Sequence, residues 1–369
     1  MSCTKFVNPR NSLYLLNREN GNAPCFVQTL TGGGENQVFS LTINNSQFTI
    51  HNSQFTINKM NPYSFRKRLF GISPEETTFS KRGFHAVSAE ARERLESIGE
   101  TFVYGYHAAL LDDNPESLSQ QLDTLPNERR GFAYEGAAMA MALLDFLSPF
   151  NRNRLKRFVQ GTGAHHIYMV HVGAGWAWAR LHRNVNKALT ALDPLFRWLA
   201  VDGYGFHEGY FHWQKTITQA IIPRRLSGYA RRVFDQGIGR SLWFVKGADV
   251  ETIAHTINNF PAERQADLWS GLGLAATYAG GADETALTHL VKLSNDFRPQ
   301  LAQGAAFAAK ARERAGNPTH HTAQACQILC ATDVVTAARV TDDALIDLPY
   351  DGPEPAYEIW RQRIQNHYR

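Results

Sequence analysis

The chain is poor in cysteine, with four in 369 residues: Cys3, Cys25, Cys326 and Cys330. So few, so unevenly placed, they exclude a disulfide framework and fit a reducing compartment. Long hydrophobic runs are missing as well. The longest, around Ala137–Leu147 and Tyr168–Ala179, fall short of the roughly 20 residues that a membrane helix needs. With no secretory signal in view, the expectation is a cytoplasmic protein without membrane association. Runs of one charge are short, Arg66-Lys67-Arg68 and Arg129-Arg130 being the clearest among 38 basic and 34 acidic residues, for a net charge of +4. No stripe of Lys and Arg interleaves with stacking aromatics, so nucleic acid is not an expected partner. Walker loops, dinucleotide fingerprints and G-x-S-x-G elbows are absent; Gly237-Ile-Gly239 lacks the third glycine and the strand that should precede it.

The 43% apolar and 20% charged residues are those of a globular protein with a large core. Residues 1–59 stand apart. They are rich in Asn, Ser, Thr and Gln and carry an identical duplication, Asn45-Ser-Gln-Phe-Thr-Ile50 and Asn52-Ser-Gln-Phe-Thr-Ile57. The alternation allows a strand-like hairpin, but exact short repeats look more like translated repeat DNA. The expectation is a poorly ordered extension, with translation naturally starting at Met60, followed by a single domain over 60–369.

Within that domain a glycine followed by small or aromatic residues recurs at Gly105, Gly136, Gly173, Gly209, Gly237, Gly271 and Gly304, at intervals of 31, 37, 36, 28, 34 and 33. A period of about 33 residues signals repeat architecture. The surrounding text is rich in Ala, Leu and Arg, so each repeat reads as a helical hairpin. The fold class expected is all-α, with hairpins stacked as an open solenoid or a closed α/α ring. Glycine costs roughly 1 kcal/mol of helix propensity, which close approach of a neighbouring helix would offset. Ser88 is a plausible N-cap without a full capping box, since Ala91 stands where Glu or Gln is needed.

The densest chemistry lies in Asp202-Gly-Tyr-Gly-Phe-His207-Glu208-Gly-Tyr-Phe-His212-Trp213. His207 and His212 are five apart, about 500° of helix, and diverge too far to share a metal as the zinc-protease pair does. Glu208 and His212, four apart, can pair as carboxylate and imidazole, either as a tuned general base or as two satisfied polar groups. One repeat earlier stand His165, His166 and His171, with Tyr168 three residues before His171. Histidines packed among aromatics explain that cluster better than a metal centre, so no metal is assigned and no cofactor is named. Cys326 and Cys330, downstream of His320 and His321, fit no standard zinc spacing. Glu135 and Asp235 each sit close before a motif glycine. They either point into a central cavity as acid–base groups or pair with arginines such as Arg130, Arg231 and Arg232. The candidate catalytic set is therefore His207, Glu208, His212, Asp202, Asp235, Glu135 and His171.

A longer series of motifs runs through the domain: Glu76-Thr-Thr-Phe79, Arg82-Gly-Phe-His85, Gly131-Phe-Ala-Tyr-Glu-Gly-Ala-Ala138, Tyr168-Met-Val-His-Val-Gly-Ala-Gly-Trp176, Asp202-Gly-Tyr-Gly-Phe-His207, Phe234-Asp-Gln-Gly-Ile-Gly-Arg240, Trp269-Ser-Gly-Leu-Gly273 and Gln303-Gly-Ala-Ala-Phe-Ala-Ala309. In this series residues 60–369 resemble the domain-of-unknown-function family 1702, whose members are typically encoded beside enediyne polyketide synthases. The resemblance implies a role in polyketide secondary metabolism, and it brings no agreed catalytic residues. The expected function is an accessory protein of enediyne biosynthesis acting on a hydrophobic polyene or enediyne precursor. The alternative is a non-catalytic helical-repeat scaffold for the synthase, a carrier protein or the product.

Overall fold

The computed structural model describes residues 62–148, 150, 152–350 and 352–369, with side chains from Phe65 onward, and the backbone of five strands between Ser2 and Ile50. The chain divides after Met60 into two units. In the first, strands Ser2–Asn8, Asn11–Asn17, Cys25–Gly32, Glu35–Asn44 and Gln47–Ile50 pair antiparallel in chain order. The second copy of the duplicated hexapeptide, 52–57, lies outside the described residues.

The second unit is all-helical among its described residues, as its composition predicts. Seven long helices carry the motif glycines: α1 (Ala89–Leu111), α2 (Arg130–Leu147), α3 (Ile167–Arg180), α4 (Arg197–Phe211), α5 (Tyr229–Val245), α6 (Ala262–Ala279) and α7 (Arg298–Arg314). Each packs along the next in that order. Shorter helices alternate with them, including Pro115–Leu122, Val185–Leu189, Val250–Asn258, Glu284–Ser294 and His320–Leu329. The side chains of Asn114, Asn184, Asp249, Asp283 and Thr319 accept the first free amides of these five, and Ser88 accepts from Ala91 N at the start of α1. The last of the helices that concern the site is α8 (Ala356–His367). No described helix is long and apolar enough to cross a membrane.

The glycines explain the packing of the long helices. A Cβ built on Gly105, Gly136, Gly173, Gly237, Gly271 or Gly304 would lie 1.8–2.1 Å from a backbone carbonyl oxygen of the adjacent helix. No side chain fits there; the backbones are in direct contact, a geometry that also permits Cα–H···O=C contacts. Gly209 departs from the expected pattern, since it faces the Ser241 hydroxyl instead of a backbone carbonyl. In α4 the contact is made by Gly203 against Val172 O and by Gly205 against Phe234 O. The reason is that a middle helix needs two small positions, one for each neighbour. Gly173 and Gly175, Gly237 and Gly239, and Gly271 and Gly273 divide the work in the same way, each first glycine facing the preceding helix and each second the following one.

Candidate functional site

Six of the long helices line a cavity whose empty space, open mouth included, is about 680 Å³. Its wall is largely aromatic: Phe102 from α1, Phe132 from α2, Trp176 from α3, Phe206 and Tyr210 from α4, Phe244 from α5 and Tyr278 from α6. Phe102 and Trp176 lie 4.4 Å apart between ring centroids, and Phe132 meets Tyr278 edge-on at 5.2 Å. A second cavity of about 400 Å³, lined by Tyr168, Leu199, Phe307 and Trp360 among others, shares Arg240, Leu274 and Tyr278 with the first. Those three residues form the partition between the two.

Two charged side chains from the long helices reach the larger cavity, Glu135 and Arg240. Trp176 donates its indole N–H to Glu135 Oε1 at 3.0 Å. Burial pushes the Glu135 carboxyl up to about 7, against the opposing pull of Arg240 and of the Trp176 hydrogen bond. Arg240 forms a buried ion pair with Asp202, whose other oxygen accepts from Gln236 at 2.7 Å. Gln236 in turn donates to the Tyr357 hydroxyl of α8 at 3.0 Å. A carboxyl balanced near neutral pH inside an aromatic wall is equipped to give and take a proton.

The mouth is shaped by the segment before α1. A short 3-10 turn, Pro74–Thr77, brings Glu76 and Thr77 to the cavity. Arg82 holds that segment in place: it pairs with Glu76 at 2.7 Å and donates to the Tyr210 and Phe211 carbonyls at 3.1 and 2.8 Å. These are the free carbonyls at the C-terminal end of α4, where a guanidinium is favoured. The Tyr210 hydroxyl and Trp213 indole return hydrogen bonds to Glu76 O and Arg82 O.

The structure divides the seven candidate residues. Glu135 lines the larger cavity and Asp202 the smaller one, joined through Arg240. His207 and His212 line neither. His207 is buried behind Trp176, edge-on to its ring at 5.6 Å, and its Nδ1 lies 3.4 Å from Glu208 Oε1, whereas the spacing points to Glu208 with His212. Burial lowers the His207 pKa despite Glu208. His212 is the residue after α4; its backbone N–H donates to Glu208 O, and its ring acts on the Glu208 carboxyl without coming within ion-pair distance. Asp235 is turned outward, held by Arg264 through Nε at 2.9 Å, with burial raising its carboxyl to about 6. Its partner is therefore Arg264, not the nearby Arg231 or Arg232. His171 donates from Nδ1 to its own helix at Ile167 O, 2.7 Å away, and packs on Phe196. Among the described residues no three His, Cys, Asp or Glu side chains gather as a metal site. Cys326 and Cys330 are buried and unbridged.

Arg240, Trp176 and Tyr278 were not singled out from sequence. For Arg240 a signal existed: it stands four residues after Gln236, so both face Asp202 across one helix turn.

Glu135 also has a measurable consequence for stability. Its folded pKa, about 7, is above the ordinary 4.5, so folding favours the protonated carboxyl. That contribution is complete below about 4.5 and is lost as pH rises through 7. It amounts to about 3 kcal/mol at 1.36 kcal/mol per unit. Urea denaturation of wild type and Glu135→Gln from pH 5 to 8 should show the variant gaining on wild type as pH rises. A difference independent of pH would contradict the buried, neutral carboxyl.

The second unit is thus all-helical among its described residues, with an aromatic cavity and one poised carboxyl. Residues 63–368 match the family described as "Protein of unknown function (DUF1702)", and the chain belongs to that family. No curated protein and no solved structure matches it.

Proposed function

We propose that this protein is a cytoplasmic accessory protein of enediyne-type polyketide biosynthesis. It takes a hydrophobic polyene or enediyne precursor into the larger cavity, where Glu135 transfers a proton. The observation that carries this reading is the aromatic wall around Glu135, whose carboxyl has a pKa of about 7 and, unlike that of Glu76, no arginine paired to it. The pathway rests on the family resemblance, and the chemistry on the cavity. In this reading the hairpins close into an α/α ring. Its support is the approach of late helices to early ones: Arg94 of α1 donates to Ala279 O of α6 at 2.6 Å, and Arg312 of α7 to Glu128 O at 2.8 Å.

The test is deletion of the gene and complementation. Wild type restores product and Glu135→Gln loses it by about 10²–10⁴-fold, the usual contribution of general acid–base catalysis. Ala275→Phe, which fills the cavity, also abolishes production, and in the purified protein it abolishes binding of a fluorescent conjugated polyene that Glu135→Gln still binds. Full production by both variants at normal protein level would leave the scaffold reading in its place.

A further inference from the structure

The charges around the cavity are already matched. Arg240 is paired with Asp202, and Glu76 at the mouth is paired with Arg82. Glu135 is left without a salt bridge of its own, its Oε1 taken by the Trp176 indole and no described group hydrogen-bonding its second oxygen. The groups that face it are apolar on α1 (Phe102, Val103), the indole on α3, Asp202 on α4, Arg240 on α5 and the Tyr278 phenol on α6. Two carboxylates therefore surround one guanidinium, and no cation remains for an acidic ligand.

We infer that the cavity selects uncharged polyenes bearing a neutral oxygen, such as a ketone, alcohol or ester, and rejects the corresponding free acids. This rests on the cavity reading above and names its ligand class. A ligand carboxylate would enter a low-dielectric space beside Glu135, where the one guanidinium on the wall, Arg240, is already neutralised by Asp202, and like charges repel strongly there. A neutral oxygen instead meets a carboxyl able to donate or accept a hydrogen bond.

The experiment compares an 18-carbon conjugated tetraenoic acid with its methyl ester, titrated into the full chain and followed by tetraene fluorescence at pH 8 and pH 6. The ester should bind at least about tenfold more tightly than the acid at pH 8. The gap narrows at pH 6, where Glu135 takes up a proton while the ligand stays ionised. Glu135→Gln shows the narrowed gap already at pH 8. Equal or tighter binding of the acid at pH 8 would mean that Arg240 receives the carboxylate, overturning this inference while leaving the cavity as a polyene site. Binding of neither probe would overturn both. The wild-type comparison needs no variant, so a folding defect in Glu135→Gln does not decide it.

Discussion

Arg361→Met is expected to destabilise the protein by about 3–5 kcal/mol, the cost of removing one partner from a buried ion pair. Arg361 is fully buried in α8 and holds two carboxylates at once, Asp267 of α6 at 2.7 Å and Glu358 at 3.0 Å. Arg232 of α5 completes the square, reaching Asp267 at 3.0 Å and Glu358 at 2.9 Å, and the Tyr229 hydroxyl donates to Glu358 at 2.7 Å. With Arg361 gone, Arg232 is the one cation still paired with these two buried carboxylates, and its side chain is 44% exposed. At about 2–4 °C per kcal/mol, the melting temperature should fall by about 6–20 °C. Combining Arg361→Met with Asp267→Leu and Glu358→Met, which removes the stranded charges, should recover most of the loss. A single variant that melts like wild type would show that the network contributes nothing to holding α8. The consequence reaches the site, because α8 also supplies Tyr357 to Gln236 and Trp360 to the wall of the smaller cavity.

What was legible in the sequence follows from helix geometry. A glycine that touches the next helix fixes the orientation of its neighbours, since each residue turns by about 100°. Glu135 precedes Gly136 and Gln236 precedes Gly237, and both reach the interior, Gln236 by its bond to Asp202. Asp235, one step further back, is rotated outward to Arg264. The aromatic density of Tyr204–Trp213 marked a genuine wall, as Phe206, Tyr210 and Phe211 line the cavity. The histidines in that stretch were misleading because His207 packs against Trp176, a residue of another helix that no local spacing reveals. The charged square on α8 was illegible for the same reason: its members come from three helices, and Arg232 and Arg361 stand 129 residues apart (361 − 232). Gly209 misled because the seven-motif series admitted one glycine per helix, whereas α3, α4, α5 and α6 each use two, one for either neighbour.

Gly271→Ala is the second large effect, and its sign is opposite to what helix propensity predicts. Alanine should gain about 1 kcal/mol in a helix interior. At Gly271, however, the new methyl carbon would stand 1.8 Å from Gln236 O and 2.9 Å from the Arg240 amide nitrogen, both backbone atoms of α5. Neither can rotate away, so α5 and α6 must separate along their length. Overpacking typically costs about 1–3 kcal/mol where side chains can adjust; between two rigid backbones the upper end is expected, a net loss of about 2–3 kcal/mol after the propensity gain. Gly352→Ala is the control, because a Cβ there meets no atom closer than 3.8 Å; its effect should stay within about 0.5 kcal/mol. Chemical denaturation of the two variants separates the readings: if Gly271→Ala were as stable as wild type, the glycine series would be compositional and not a packing device. The same wedge has a functional readout. α5 carries Arg240 and Phe244 to the cavity and α6 carries Leu274 and Tyr278, so parting them opens the wall between the two chambers. Gly271→Ala should therefore weaken binding of a neutral polyene by more than its loss of stability explains, measured at a temperature where the variant is fully folded.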